Sequence, residues 1–425
     1  MALVSSDFGL DASSKSFAFE KAGHVCVALI FLTSFYVKLE PAICDIMFFA
    51  AVCFFFKSGL SLTKALAPIF VCLLIYNLAG LISYIAVEDD PYGGGQFVVT
   101  SAYMSAAGFF FAAYVAADAE RRFQYILKYY FIGATIASFL GIMGYFHFSA
   151  LTEQFSVMGR MVSGFKDPNV FSTYLVLPAV CVLQQLMLGK MRYTAFNLVS
   201  ISAVLIAIFL AFSRGAWINF VMSASLMIFL SFINTSEKNQ RSGIVIKGII
   251  VVFILGLAIA ALLSIEETRF LFQDRFTLVK SYDAGELGRF GNQRNAVPML
   301  QTRPLGFGPL QFGRYFREAP HNTFLNAFAS FGWLGGVTFL TMVVLNLFVG
   351  IKLAFTKSPF QASAIAVFSC LAAITFQGVQ IDTEHWRHFY WMIGLLWGFF
   401  GALEAGKYLG FSEEDILAGW RGAKN

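Results

Sequence analysis

Apolar runs of about twenty residues follow one another through most of the chain, parted by short charged breaks. A helix of that length spans about 30 Å, the thickness of a bilayer's hydrocarbon. Twelve runs can be read, at 22–37, 42–56, 65–87, 97–117, 123–147, 169–188, 193–212, 215–234, 246–265, 321–351, 360–381 and 385–404. Hydrophobic residues make up 58% and charged residues 13%, with a mean hydropathy of +0.70. One water-soluble globule of 425 residues cannot hide that much apolar surface. The expectation is an all-α polytopic membrane protein with about twelve transmembrane helices.

Basic residues then orient the chain, because cytoplasmic loops retain Lys and Arg. With the N-terminus inside, the inner breaks hold Lys57 and Lys64, Arg121, Arg122 and Lys128, Lys190 and Arg192, Lys238, Arg241 and Lys247, then Lys352 and Lys357. The short outer breaks hold only Lys38, Arg160, Lys166, Arg214 and Arg387. Both termini are expected in the cytoplasm, with one large outer loop. The organisation is helices 1–9 over 1–265, an Arg-rich outer loop over 266–320, and helices 10–12 with a cytoplasmic tail over 321–425. The net charge of +5 is this topological bias, and it gives no reason to expect nucleic acid as a partner. Residues 1–21 are polar and the first apolar run lacks a convincing small-x-small cleavage site, so that run reads as a retained span. All six cysteines fall inside spans and read as small hydrophobes.

Polar residues gather at the outer ends. Asp45 is near enough to the interface to be read as solvated. Glu88, Asp89 and Asp90, followed by Pro91 and three glycines, are open to a divalent-metal site or, more commonly, a solvated loop. In GFKDPN, Asp167 caps the sixth span and Pro168 takes its first turn, which leaves Arg160 and Lys166 without a local role. In AFSRGAW, Ser213 caps the eighth span, Gly215 permits a tight turn, and Arg214 either snorkels or meets an anionic ligand. The 266–320 segment carries eight basic residues, Arg269, Arg275, Lys280, Arg289, Arg294, Arg303, Arg314 and Arg317, and arginine suits bidentate contact with phosphate. The turn Gly306-Phe307-Gly308-Pro309 could aim backbone N–H groups at an anion.

Every even-numbered span runs inward, so its N-terminal N–H groups and positive dipole end face outward. The sixth, eighth, tenth and twelfth begin DPN, SRG, PHN and DTEHWRH. If the bundle brings some of these starts together under the Arg-rich loop, a phosphate-bearing ligand finds donors there. His321 opens a stripe with Leu325 and Phe328 beside a polar edge of Asn322 and Asn326. A helix N-terminus disfavours imidazolium, so this ring is either a neutral base or a structural residue bonded to the loop. His385 and His388 share a helix face, which permits metal ligation, although the commoner role is interfacial. Tyr315, Phe316, Trp386 and Tyr390 could stack on sugars or anchor the interface.

The ordered set GFKDPNVFSTYLVLP (164–178), AFSRGAW (211–217), GRFGNQRNAVPMLQTRPLGFGPLQF (288–312) and PHNTFLNAFASFGWLGG (320–336) resembles the O-antigen ligase and O-antigen polymerase superfamily of bacterial envelope enzymes. The resemblance implies a glycosyltransferase of the inner membrane, working at the periplasmic face on an undecaprenyl-diphosphate-linked glycan. The acceptor would be a lipid A core for a ligase, or another lipid-linked repeat unit for a polymerase, with a chain-length regulator as a candidate partner. By motif match, His321 takes the catalytic position and Arg214 and Arg289 the diphosphate positions, with Arg294, Arg160 and Lys166 as further candidates. Asp167, Asn169, Asn322, Gly306 and Gly308 support them. The family commonly has an aromatic residue four positions after the loop arginine, where this chain has Gln293, so the choice between Arg289 and Arg294 stays open.

In the implied reaction His321 accepts the acceptor hydroxyl's proton and the arginines stabilise the departing diphosphate, with inversion and with neither cofactor nor metal. The rival class is a multi-span transporter or a flippase for lipid-linked sugars. A carrier should place its ionisable residues near the membrane midplane, whereas here they gather at the outer edge.

Overall fold

The computed structural model describes residues 8–56, 59–190, 194–235, 238–276 and 288–408. Lys57, Arg192, Lys280 and the 409–425 end of the expected cytoplasmic tail lie outside them. The helices are α1 (Phe8–Thr33), α2 (Ile43–Phe55), α3 (Ala67–Ile85), α4 (Gly94–Ala117), α5 (Ala119–Tyr145), α6 (Pro168–Tyr174), α7 (Val176–Met187), α8 (Ala195–Leu210), α9 (Arg214–Asn234), α10 (Lys238–Leu263), α11 (Glu266–Phe276), α12 (Arg289–Gln301), α13 (Thr323–Phe355), α14 (Gln361–Gln377) and α15 (Arg387–Tyr408).

Each apolar run falls on helix. Among the described residues eight helical segments are long and apolar enough to cross a membrane, and three shorter apolar helices, Ile43–Phe55, Ala195–Leu210 and Gln361–Gln377, stand beside them. The sixth run is two helices, α6 and α7, that meet at Leu175. The first helix begins at Phe8, well before the apolar run at 22.

Close packing depends on small residues where helices cross. α15 lies along α4, where a side chain on Gly108 would meet the Tyr390 carbonyl at 2.9 Å. α13 packs on α3 and α14 on α9. α15 sits deep in the bundle, with Tyr390 and Trp397 fully buried, whereas Ile244 is the one buried residue of α10. That leaves the long apolar surface of α10 facing outward.

Two features of the polar segments were not expected. A two-stranded antiparallel hairpin, β1 (Ser156–Val157) and β2 (Arg160–Met161), stands between α5 and α6. Its turn, Met158 and Gly159, has φ of 50° and 70°, the left-handed pair that matches strand twist. Within the large loop, α12 docks against α13, and the Trp333 indole N–H donates to the Leu300 carbonyl at 2.8 Å. α13 is kinked at Gly332, with φ 67° and ψ −169°, where the Pro304-Leu305 backbone comes too close for any side chain.

Several expectations are corrected. Asp45 is not solvated: it is 7% exposed and forms a two-pronged ion pair with Arg387, at 3.0 and 2.9 Å. Trp386 and Tyr390 are buried rather than on an exposed face. His385 and His388 do not share a helix face: His388 is buried in α15, and His385 precedes that helix, stacked on Phe97 with Nε2 3.0 Å from the Phe97 carbonyl. The acidic turn, by contrast, is a solvated loop as expected: Glu88 and Asp89 are exposed, Asp90 caps α4 by accepting the Gly94 and Gly95 N–H groups at 2.7 and 3.0 Å, and Asp89 pairs with Arg314 at 3.6 Å.

Candidate active site

The starts of α6, α9 and α13 and the 378–386 segment form one hydrogen-bonded end of the bundle. α9 starts at a turn in which Phe212, not Gly215, takes the left-handed conformation, with φ 47°. Ser213 Oγ then accepts the Ala216 N–H at 3.3 Å, and Arg214 is the first helical residue, half-buried. Gly215 serves close approach instead, because a side chain there would meet Gln377 Nε2 at 2.9 Å. Buried Gln377 accepts from Asn219 of α9 at 2.7 Å and donates to Thr173 of α6 at 3.2 Å. Its neighbour Gly378 receives the Thr323 N–H of α13 at 2.7 Å.

His321 lies just outside α13. Asn322 is the N-cap, with Oδ1 accepting the Leu325 N–H at 3.0 Å, so the expected helical stripe does not include the histidine. His321 has φ 45°, a conformation that costs a non-glycine residue about 1–3 kcal/mol and persists only when its surroundings hold it. Asp382 holds it: its carboxylate accepts the His321 and Asn322 N–H groups at 3.1 and 2.9 Å, and Oδ2 stands 3.8 Å from His321 Nδ1. From the opposite side Gln293 of α12 donates to the Pro320 carbonyl at 2.7 Å. The imidazole stays 38% exposed, open to a substrate.

Burial pushes the Asp382 carboxyl above its usual range, against the lowering pull of His321, the two N–H groups and Arg289. Glu384, two residues on, is 1% exposed and receives the Asn326 amide. Burial, reinforced by the charge of Asp382, raises it to about 8. Sequence reasoning singled out neither acid. The available signal was that Asp382 and Glu384 are the only acidic residues between Glu318 and Glu404.

Arg289 opens α12, half-buried, and donates to the Gln380 carbonyl at 3.2 Å, within electrostatic reach of Asp382. Gln293, one turn later, is the residue that ties α12 to the backbone before His321. Arg294 is exposed. Arg160 bonds the Ala211 carbonyl at 3.0 Å and Asn169 Oδ1 at 3.2 Å, bracing the turn that presents Arg214. Asp167 caps α6 through the Asn169 N–H at 2.5 Å. Lys166 pairs with exposed Glu40 at 2.8 Å. Gly306 and Gly308, with φ 72° and 101°, make the expected turn, but its N–H groups donate to Arg303 and Ala329 carbonyls. That turn braces the kink of α13 rather than offering donors to an anion.

A histidine backed by a carboxylate, with Arg289 close to that carboxylate, suits proton abstraction next to an anionic leaving group. Residues 199–340 match the O-antigen ligase family. The matched third of the chain contains Arg214, Arg289, Arg294, Gly306, Gly308, His321 and Asn322, so the resemblance to the O-antigen ligase and polymerase superfamily holds there. Arg160 to Asn169 and Asp382 lie outside it. No curated protein sequence matches the chain. With the bilayer-length apolar helices, the family match supports an O-antigen ligase-like, multi-pass membrane protein.

Proposed function

We propose that this protein is a membrane glycosyltransferase that moves a glycan from a polyprenyl diphosphate, of the undecaprenyl type, to a sugar hydroxyl at the periplasmic face of the bacterial inner membrane. The reading includes about twelve spans with both termini in the cytoplasm. The observation that carries it is the His321–Asp382 pair before α13, with Arg289 of α12 within electrostatic reach of Asp382.

His321 Nδ1 faces Asp382, which leaves Nε2 to take the proton from the acceptor hydroxyl. That oxygen bonds to the anomeric carbon as the bond to the diphosphate oxygen breaks, in one displacement with inversion. The proton rests on His321, where Asp382 stabilises the imidazolium, and Arg214 and Arg289 balance the charge on the lipid diphosphate. Arg160 acts through Arg214, and Arg294 and Lys166 are secondary anion contacts. The acceptor is a lipid A core in a ligase, or another lipid-linked repeat unit in a polymerase of O-antigen or exopolysaccharide.

The test is transfer by the purified protein in nanodiscs, with a synthetic polyprenyl-diphosphate sugar donor and with EDTA present. Turnover in the wild type that collapses in His321→Ala and in Arg214→Ala supports the reading, and the product's acceptor end separates ligase from polymerase. Donor movement across a liposome bilayer without transfer would replace it with a flippase.

A further inference from the structure

At its far end from the β1–β2 hairpin, α5 borders a second cluster of charge. Arg121, Arg122, Tyr125 and Lys128 recur at three to four residues along it, and Glu20, Lys21, His24 and Val25 do the same along α1. Each set therefore occupies one side of its helix. The two sides, with Tyr114 and Asp118, line a cavity of about 770 Å³. That is within the ~300–1,000 Å³ range of small-molecule sites.

The charges that line it are unequally committed. Arg122 is buried: it donates to the Gly59 and Tyr114 carbonyls, pairs with Glu20 at 3.2 Å and lies 4.5 Å from the centre of the Tyr114 ring. Arg121 stands 3.9 Å from Asp118 with its side chain 88% exposed, a pairing that solvent keeps weak. Lys21 and Lys128 are exposed, and neither has a carboxylate partner among the described residues. Four basic groups against two acids leave an excess of two positive charges, carried by exposed side chains of two helices. The inward bias of basic residues requires charge in the breaks. It does not require unpaired charge from two helices on one cavity.

The apolar part of the wall decides what carries the anion. Lys21 and Arg121 precede the apolar runs at 22–37 and 123–147, whereas Val25, Tyr125 and Lys128 lie within them. Val25 is 50% exposed. The cavity thus crosses from a charged break into the edge of the hydrocarbon, where Lys128 keeps its stem in apolar surroundings and turns its ammonium to the headgroup level. A free phosphate ion would leave Val25 bare. A phospholipid covers it with the first methylenes of a chain while its phosphate meets the lysines.

We infer that this cavity binds the headgroup of one anionic phospholipid. The leaflet, the inner one, follows from the proposed topology, while the site itself is independent of the transferase reading.

The full-length protein in detergent micelles is titrated with phosphatidylglycerol, with phosphatidylcholine of the same chains and with glycerol phosphate, and bound lipid is counted by native mass spectrometry. One phosphatidylglycerol should bind saturably, about tenfold or more tighter than phosphatidylcholine, and glycerol phosphate should not displace it. The double variant Lys21→Gln/Lys128→Gln should weaken that binding about tenfold or more, and Arg121→Gln should weaken it less. Lys64→Gln/Lys238→Gln removes two exposed lysines of the same face that do not line the cavity, and should leave it unchanged. All three substituted side chains of the cavity are exposed, and size-exclusion profiles verify that each variant is folded. Equal affinity for the two lipids, an unchanged affinity in Lys21→Gln/Lys128→Gln, or an equal loss in Lys64→Gln/Lys238→Gln overturns the site. Displacement by glycerol phosphate at matching concentration overturns the lipid assignment and makes the cavity a site for a soluble anion.

Discussion

Asp382 reaches across 61 residues of chain to accept the backbone N–H of His321 at 3.1 Å, with the same oxygen 3.8 Å from the imidazole Nδ1. The contact fixes a left-handed histidine and places a carboxylate behind the ring. In Asp382→Asn one oxygen remains to accept a backbone N–H, so the fold should survive while the charge behind the ring is lost. We expect kcat to fall about tenfold to a hundredfold with an unchanged donor KM. His321→Ala should lose the roughly 10²–10⁴-fold contribution of a positioned base. Equal kcat values for Asp382→Asn and wild type would remove Asp382 from the mechanism.

Arg289 and Arg294 stand five residues apart on α12 but differ in surroundings. Arg289 donates to the Gln380 carbonyl beside Asp382, whereas Arg294 is exposed. A charged hydrogen bond to phosphate contributes roughly 1.5–3 kcal/mol, so Arg289→Ala should lower kcat/KM about tenfold to a hundredfold. Arg294→Ala should change it less than about threefold, as an exposed charge does. The reverse order would reassign the loop arginine.

How far the chain could be read in advance depended on how local the determining interaction is. Apolar runs announce helices, and the caps Asp167 and Ser213 follow from residues within one turn. The kink at Gly332 and the hairpin that positions Arg160 depend on left-handed backbone that distant contacts hold in place. α12 lacks an apolar stripe and contains Pro298, so nothing in its sequence marks it as helix. Asp382 was out of reach for the plainest reason, since only the folded bundle brings it to His321. The motif resemblance pointed to His321, Arg214 and Arg289, but not to Asp382 or Gln377, which pack against their backbone.

Glu384 makes stability depend on pH. Its carboxyl rises from the usual 4.5 to about 8 in the folded protein, first through burial and then through the charge of Asp382. Between those values the folded state binds a proton that the unfolded state has released, so stability falls as pH rises. The stabilising contribution is complete below about pH 4.5 and lost above about pH 8. Thermal unfolding in detergent should show the midpoint dropping from pH 6 to pH 9 (about neutral to mildly basic). Glu384→Gln keeps a carbonyl for Asn326 and should flatten that dependence, leaving the variant the more stable protein at the basic end. A wild-type slope that Glu384→Gln leaves intact would assign it to another group.

The Asp45–Arg387 pair joins residues 342 positions apart, with side chains 9% and 20% exposed. Asp45 also accepts from Tyr103 at 2.6 Å and from the Ala42 N–H at 2.9 Å, so both of its oxygens are engaged. The pair fastens the start of α2 to the start of α15. Removing one partner strands a buried charge, which typically costs about 3–5 kcal/mol, far more than the intact pair contributes. Arg387→Met and Asp45→Leu should therefore each lower the unfolding midpoint strongly. The double variant, with no stranded charge and apolar groups of similar length, should recover most of the loss. If the double variant were as unstable as the singles, the pair itself, and not relief from an uncompensated charge, would be what holds α2 against α15.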